Sequence, residues 1–576
     1  MTLKQLSLSL SALTLGLMAG CSNNDNNGSA ASGAVAKHVL LISVDGMHQV
    51  DLQNWIAGNP TSTLAQLSAT GLVYSAASTT TPSDSFPGLL SMVTGGTPKS
   101  TGVYYDDSYD RTLYAPGSNC TGSNSGPGIE VLYDESIEYD DSKLFSGGID
   151  PANLPMAKDA SGNCKPLYPH QFLKVNTIFE VIKAAGGYTA WSDKHAAYDL
   201  VNGPSGSGVD DLYTPEINSL IANGGNGAFS NGVDLAGTLA KCDGTNSLPV
   251  KKVSDYTTCA PASEAYDDVK VQALINEIDG LKSDGSATTQ VPEILGMNFQ
   301  EVSVTQKLPV GGYSDAKGTP NSLLAGVFAH TDASLGKIVA ELKAKNLLGS
   351  TLIIISAKHG QSPIDKSILA MESGGSGNTT VQDPSGPIQS ADPTVDTAST
   401  FTNPNSGGTL STNGHFQTDD VGLLWLQNQA SGNISSVVSN LQGSVAAIFA
   451  DKLPSGTVFS TSNGIVSGSP LTALFGDPTN SSDAVAAARA PNVFIQPNAG
   501  VIYSGSSKKI EEHGGGAATD TSVALLVSMP SLKAATVSTA VSTTQIAPTI
   551  LKALGLDPTQ LQAVQKENTA VLPNLF

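Results

Sequence analysis

The apolar and β-branched run KHVLLISV, from Lys37 to Val44, ends abruptly at Asp45-Gly46-Met47. A run without polar alternation fits a strand buried on both faces of a parallel sheet, with an acid delivered at its C-terminal edge. Comparable runs predict strands at Tyr188–Trp191, Glu293–Phe299, Thr351–Ser356, Gly422–Leu426 and Val523–Ser528. Between them, near-helical spacing of apolar residues predicts helices over 61–70, Val175–Ala185, Ser263–Leu281 and Ser322–Lys345. Strands alternating with helices imply an α/β fold: a doubly wound, mostly parallel sheet flanked by helices. Such sheets bind ligands at the C-terminal ends of their strands.

Three stretches break the alternation. Residues 105–168 are rich in Asp, Tyr, Gly and Ser, residues 203–260 in Gly and Asn, and residues 365–418 in Ser, Thr, Pro and Gly. None has the apolar periodicity of an independent core, so they are expected to be insertions in one domain spanning 37–576. The chain has 576 residues, a length that by itself would also allow several domains. Its net charge of −21 excludes a protein that coats nucleic acid, because a polyanion would be repelled. A small anionic substrate remains compatible, since local cations can outweigh the global field.

At the N-terminus one Lys precedes an apolar run, Leu6 to Met18, too short to span a bilayer and suited to a signal peptide. The run closes on Leu17-Met18-Ala19-Gly20-Cys21, which resembles a bacterial lipobox. The resemblance implies removal of residues 1–20, lipidation of Cys21 and a flexible tether over 21–36. Ser22 beside the lipid site favours sorting to the outer membrane. The expected setting is therefore an exported, membrane-anchored protein facing the periplasm or the cell surface. Four cysteines remain, an even number suited to disulfides outside the cytoplasm. Three pairings connect them; Cys120 with Cys164 and Cys242 with Cys259 is favoured, because each pair brackets a loop-rich insertion.

Candidate chemistry concentrates at strand ends. LLISVDGMH (40–48) offers Asp45. TTTPSDSFPGLLSMVTGGTPKSTGV (79–103) offers Ser85 at the start of a helix, where free N–H groups and the helix dipole favour a phosphate. LIIISAKHGQSP (352–363) offers Lys358 and His359, and AWSDKHAAYDLVNGPSG (190–206) offers Lys194 and His195, either of which suits phosphate contact or proton donation. KIEEHGGG carries His513, and His415 precedes the predicted strand at 422–426.

The strand-end Asp followed by PSDSFPG and a Thr-Gly-Gly-x-Pro turn resembles the alkaline-phosphatase superfamily, specifically the type I phosphodiesterase/nucleotide pyrophosphatase family. The closing His513-Gly514 with its following strand and helix resembles that family too. The resemblance covers residues 38 to about 557. It implies an alkaline-phosphatase-like fold, Ser85 as nucleophile and metal ligand, and Asp45, His359 and His513 as further ligands. The family pattern Ser-Asp-His-Gly reads Ser356-Ala357-Lys358-His359-Gly360 here, so Lys358 replaces an acid. The family's Glu-Pro-Asp-x-x-Gly-His motif falls in NFQEVSVTQK, and aligning its ends puts Val302 at the Asp and Gln306 at the His. The implied cofactor is one zinc rather than two, held by Asp45, Ser85 and His359, or none, with Lys358 supplying charge for catalysis. The expected activity is hydrolysis of small phosphate monoesters or diesters. Sulfate- or phosphonate-ester chemistry, group transfer, and a non-catalytic binding protein on the same scaffold are the alternatives.

Overall fold

A computed structural model describes residues 35–121, 127–222, 233, 235, 237–397, 410–443 and 464–576. The signal peptide, Cys21 and nearly all of the tether lie outside the described residues. In chain order the principal strands are β1 (His38–Val44), β2 (Gly71–Tyr74), β3 (Asp107–Asp110), β4 (Ile129–Leu132), β5 (Ala190–Ser192), β6 (Asp211–Tyr213) and β7 (Ile294–Phe299). They continue with β8 (Thr351–Ser356), β9 (His415–Thr418), β10 (Gly422–Trp425), β11 (Ile465–Ser467), β12 (Val493–Ile495), β13 (Leu525–Ser528) and β14 (Ala535–Val537). The main sheet has eight strands in the order β14-β2-β13-β8-β1-β7-β5-β6. All its pairings are parallel except the two made by β13, which is antiparallel to β8 and to β2.

The central strands have the buried, unalternating character that the sequence predicts: from Val39 to Val44 every residue of β1 is buried, as is every residue of β7 and β8. Helices cover both faces. One layer contains α1 (Gln49–Gly58), α2 (Thr63–Ser68), α5 (Ala260–Ile278) and α7 (Ser322–Ala344); the other contains α3 (Ser85–Thr94), α4 (Ile178–Ala184) and α8 (Ile546–Ala553), with α6 (Glu301–Lys307) directly after β7. Leu324, Val327, Leu335, Ile338 and Leu342 form the buried stripe of α7, as their spacing requires.

Two predicted strands sit elsewhere than alternation suggests. The strand at Val523–Ser528 is in the main sheet but reversed, and that at Gly422–Leu426 belongs to a separate antiparallel sheet, β9-β10-β12-β11. Apolar runs report burial, not direction or partner, which is why neither feature could be read from them. Beside this second sheet Ile388, Val395 and Phe416, from the 365–418 stretch, pack with Leu424 and Val493. Disulfides join Cys120 to Cys164 and Cys242 to Cys259. Among the described residues no helix is long and apolar enough to cross a membrane.

One close approach sets the geometry of the sheet edge. Helix α3 lies so near the end of β8 that a Cβ on Gly88 would fall 2.0 Å from the Lys358 carbonyl oxygen. Gly88→Ala must displace one or the other, and a loss of about 1–3 kcal/mol in stability is expected from such overpacking. Gly326, inside α7, has nothing within 4 Å of an added Cβ, so Gly326→Ala should gain about 0.5–1 kcal/mol from helix propensity. Opposite shifts of the thermal midpoint for the two variants would verify this; equal shifts would contradict it.

Candidate active site

Strand register brings the polar residues together. Ser43 of β1 is level with Asn298 of β7 and with Ser356 of β8. Two residues further on, each chain leaves the sheet at Asp45, Gln300 and Lys358. On the other side Met297 is level with Ser192, so β5 ends at Asp193-Lys194 on the same edge. Asp45 is completely buried. Its Oδ1 accepts from Asn298 Nδ2 at 2.8 Å and its Oδ2 from Gln300 Nε2 at 2.6 Å.

Ser85 faces this edge from the first turn of α3. Asp84 caps the helix, its Oδ2 accepting from the Phe86 N–H. Ser85 Oγ lies 3.2 Å from His359 Nε2 and accepts from Lys194 Nζ at 3.1 Å. The Nδ1–H of His359 donates to the Gly360 carbonyl at 2.9 Å, so Nε2 carries the lone pair that faces the serine. His359 Nε2 is also 3.7 Å from Asp45 Oδ2, and Lys194 Nζ is 3.6 Å from the same oxygen. Four groups from four chain segments therefore converge: a hydroxyl, an imidazole, a carboxylate and an ammonium.

Lys358 approaches from behind. Its Nζ is fully buried, bonds both oxygens of Asp193 at 2.7 and 2.9 Å, and stands 3.9 Å from Asp45 Oδ2. It lies 4.0 Å over the ring of Tyr198, a cation–π contact. Trp191 Nε1 donates to the other side of Asp193. Burial pushes the Lys358 ammonium down from the usual lysine range, while Asp193 and Asp45 act to keep it charged. Burial would raise the Asp45 carboxyl, but Lys358, His359, Lys194 and the Gln300 amide together hold it well below the carboxylate range. Burial drives His359 down to about 3, which leaves its imidazole neutral at physiological pH.

His513 stacks against His359, ring centroids 3.9 Å apart, and its Nδ1 faces Asp84 Oδ1 at 3.7 Å. Burial, with the like charge of Asp106, pushes the Asp84 carboxyl well up from its usual range. Above these groups opens a cleft of about 310 Å³ lined by Lys194, His195, Gln300, Lys307, Lys508, Lys509 and His513. His195 is held at the cleft by Glu216, 2.9 Å away. Four lysines gather at one opening in a chain of net charge −21, with Lys307 and Lys509 sharing Glu512 and Lys194 facing Asp45.

The structure thus gathers Asp45, Ser85, His359, His513, Lys194 and Lys358 at one edge, with His195 on the cleft wall. It is Lys194, not Lys358, that touches Ser85. The register set by the ends of NFQEVSVTQK does not hold. Val302 is core, packed with the apolar residues under β1 and β7, and Gln306 donates to the Gly46 carbonyl and the Tyr313 hydroxyl. Gln300 is the residue of that segment that reaches the site, and its amide donates a hydrogen where a metal ligand would offer a lone pair. Asp193, Gln300 and Asp84 are the participants that motif reading passed over. The signal for the first two was strand register, since each follows a buried strand by one residue. His415 lies apart, against Asp107 and Glu130.

Comparison with known proteins identifies the family and the fold. The family model described as type I phosphodiesterase/nucleotide pyrophosphatase matches residues 39–514. No curated protein matches the chain in sequence. Among solved structures, the alkaline phosphatase PafA is 13% identical with a TM-score of 0.53, over 91% of this chain and 96% of its own. Murine ectonucleotide pyrophosphatase/phosphodiesterase 5 is 12% identical with a TM-score of 0.49, over 90% and 96%. Phosphonoacetate hydrolase from Sinorhizobium meliloti is 15% identical with a TM-score of 0.49, over 92% and 98%. The likeness to PafA carries the fold: a mixed central sheet with flanking helices, alkaline-phosphatase-like.

The Lys358–Asp193 pair is testable by stability alone. Lys358→Met leaves a buried carboxylate without its cation and should lower stability by about 3–5 kcal/mol. In an Asp193→Asn background the same change should cost much less. Equal losses in the two backgrounds, read by denaturant unfolding, would show that the pair is not coupled.

Proposed function

The chain belongs to the type I phosphodiesterase/nucleotide pyrophosphatase family and is a hydrolase acting on phosphoric ester bonds; within that class we propose an exported enzyme that attacks small phosphate esters with Ser85 in a reduced metal site. The observation that carries the reading is the setting of Ser85 Oγ, held between the lone pair of His359 Nε2 and the ammonium of Lys194 at a helix N-terminus. A serine hydroxyl is a weak nucleophile until something accepts its proton or stabilises the charge left on oxygen. Here a lone pair and a cation face the same atom; a bound divalent ion would take that lone pair and replace the proton on the hydroxyl oxygen. The reaction that follows is in-line attack of Ser85 on phosphorus, loss of the leaving group, and hydrolysis of the phosphoserine ester by water. The lysines of the cleft attract the phosphate and offset its charge.

The family is metal-dependent, and the donors present fit one divalent ion. Asp45, Ser85 and His359 would hold it: a carboxylate, a hydroxyl oxygen, and an imidazole that burial keeps unprotonated. Bound there, the ion would lower the pKa of the Ser85 hydroxyl and withdraw charge from phosphate. The donors do not fit a second ion, because only His513 remains of that set, beside an amide, Gln300, that donates to Asp45. Lys194 and Lys358 stand within 4 Å of Asp45 Oδ2 and compete for the first position. Lys194 acts on the nucleophile; Lys358 positions Asp45 and Asp193 without touching Ser85.

The N-terminal residues support export and a lipid anchor at Cys21, with residues 21–36 as tether; the family match begins at residue 39, just past it. Hydrolysis of an aryl phosphodiester and an aryl phosphomonoester by purified protein tests the catalytic proposal. Ser85→Ala should lose at least about 10³-fold in kcat, and Lys194→Met about 10–100-fold, equivalent to roughly 1.4–2.8 kcal/mol. Chelation should abolish the rate, and added Zn²⁺ should restore it. An unchanged rate in Ser85→Ala would overturn Ser85 as nucleophile, and no hydrolysis by the parent would overturn the proposal in favour of a binding protein on this scaffold.

A further inference from the structure

Away from Ser85, the β3–β4 hairpin meets β9 at three side chains that the proposed hydrolysis does not use. Asp107 begins β3, Glu130 lies in β4 and His415 begins β9. Glu130 and His415 are buried, and one donor atom from each of the three residues lies within 4.8 Å of the others. His415 Nε2 and Asp107 Oδ1 are 3.1 Å apart, close enough to pair as ions, but the ring N–H direction is not aligned on the carboxylate oxygen as in an ordinary hydrogen bond. A protonated nitrogen that close to a carboxylate would ordinarily align its N–H with it. Two unaligned donors at this separation instead resemble neighbouring ligands of one cation, for which bond lengths near 2.0–2.2 Å give spacings of about 3–3.5 Å.

The surroundings are built in the manner of a metal site. The Ser411 hydroxyl meets His415 Nδ1 at 3.2 Å, which leaves Nε2 to act as ligand. The Ser411 N–H donates to Glu130 Oε2 at 2.7 Å, and the Glu130 N–H donates to the Ser411 carbonyl. Such contacts fix the ring and the carboxylate from outside, as supporting shells of metal ligands do. Charge points the same way. Two carboxylates face one imidazole, and the further charges acting on the group, Asp106 and Asp396, are also acids. Buried like charges demand compensation.

We propose that Asp107, Glu130 and His415 form a divalent-cation site, distinct from the Ser85 centre, that takes Zn²⁺ or Mn²⁺ through one imidazole nitrogen and two carboxylates. These ligands suit such ions rather than Ca²⁺, which prefers six or more oxygens. The ion would clamp the hairpin to the second sheet. It would thereby steady Asp106, whose backbone N–H donates to Asp84 Oδ2 at the start of the catalytic helix.

The test is a metal count on the full chain, stripped with chelator, loaded with Zn²⁺ and freed of excess by gel filtration. His415→Gln and Glu130→Gln should each bind one Zn²⁺ fewer than the parent and show a smaller rise in thermal midpoint on loading. Asp45→Asn should remove a different equivalent, so that Asp45→Asn/His415→Gln lacks both. Titration of the unsubstituted protein with Co²⁺ gives a readout independent of any variant's folding: the proposal requires two equivalents to bind, and a single equivalent would overturn it. Equal zinc content in the parent and in both His415→Gln and Glu130→Gln would overturn it, leaving a charged histidine paired with two acids. A parent that retains no Zn²⁺ or Co²⁺ would do the same. Loss of metal in Asp45→Asn alone would reject this site and leave the serine-centred proposal standing.

Discussion

Two carboxylates, Asp45 and Asp193, are buried completely at the edge of a parallel sheet, and the protein must balance them there. An isolated buried carboxylate is far too costly to keep ionised, and removing one partner of a buried pair typically costs about 3–5 kcal/mol. The balance is supplied by Lys358, which bonds Asp193 directly and faces Asp45, and by Lys194, which reaches Asp45 across Ser85. Trp191, Asn298 and Gln300 satisfy the remaining oxygens. The pocket around Ser85 is therefore polar and its charges are held by hydrogen bonds before any substrate arrives, a condition for electrostatic stabilisation of a developing charge. The same balance explains the reduced metal site: ammonium and amide groups occupy ground where the family resemblance implies carboxylate ligands.

How far this could be read without coordinates depended on the kind of signal. The continuous apolar runs of β1, β7 and β8 announced buried strands, and the polar residue ending each announced an edge. Asp45 and Ser85, the proposed nucleophile, could be singled out because LLISVDGMH and PSDSFPG are short, local and ordered. Asp193 and Gln300 were not, because their importance comes from register between strands far apart in sequence. Ser43 is level with Asn298 and Ser356, and only that fact makes the residues two positions later neighbours. The alignment that put Val302 and Gln306 at the motif's two ends missed this register: α6 sends Val302 into the core and Gln306 to the Gly46 carbonyl and the Tyr313 hydroxyl. The reversed strand β13 and the separate sheet around β10 were hidden because hydrophobic patterning has no sense of direction.

Away from the edge, the second sheet and the β3–β4 hairpin act as a frame for the cleft. Tyr105, just before β3, donates to Asp419 and to the His513 carbonyl, joining hairpin, second sheet and the closing His-Gly segment. His415 and Glu130 hold the far end of that frame. The stretches that interrupt the main alternation thus reach the catalytic edge through specific hydrogen bonds rather than only decorating the surface.

The central claim is that Ser85 itself takes the phosphoryl group. Acid quenching of the enzyme during turnover of an aryl phosphate ester, followed by mass spectrometry of the peptide around 79–103, tests it most directly. The account predicts that a phosphoryl or phosphodiester adduct accumulates on Ser85 and is absent from Ser85→Ala. Full hydrolytic activity with no adduct on Ser85, or an adduct on another residue, would contradict it.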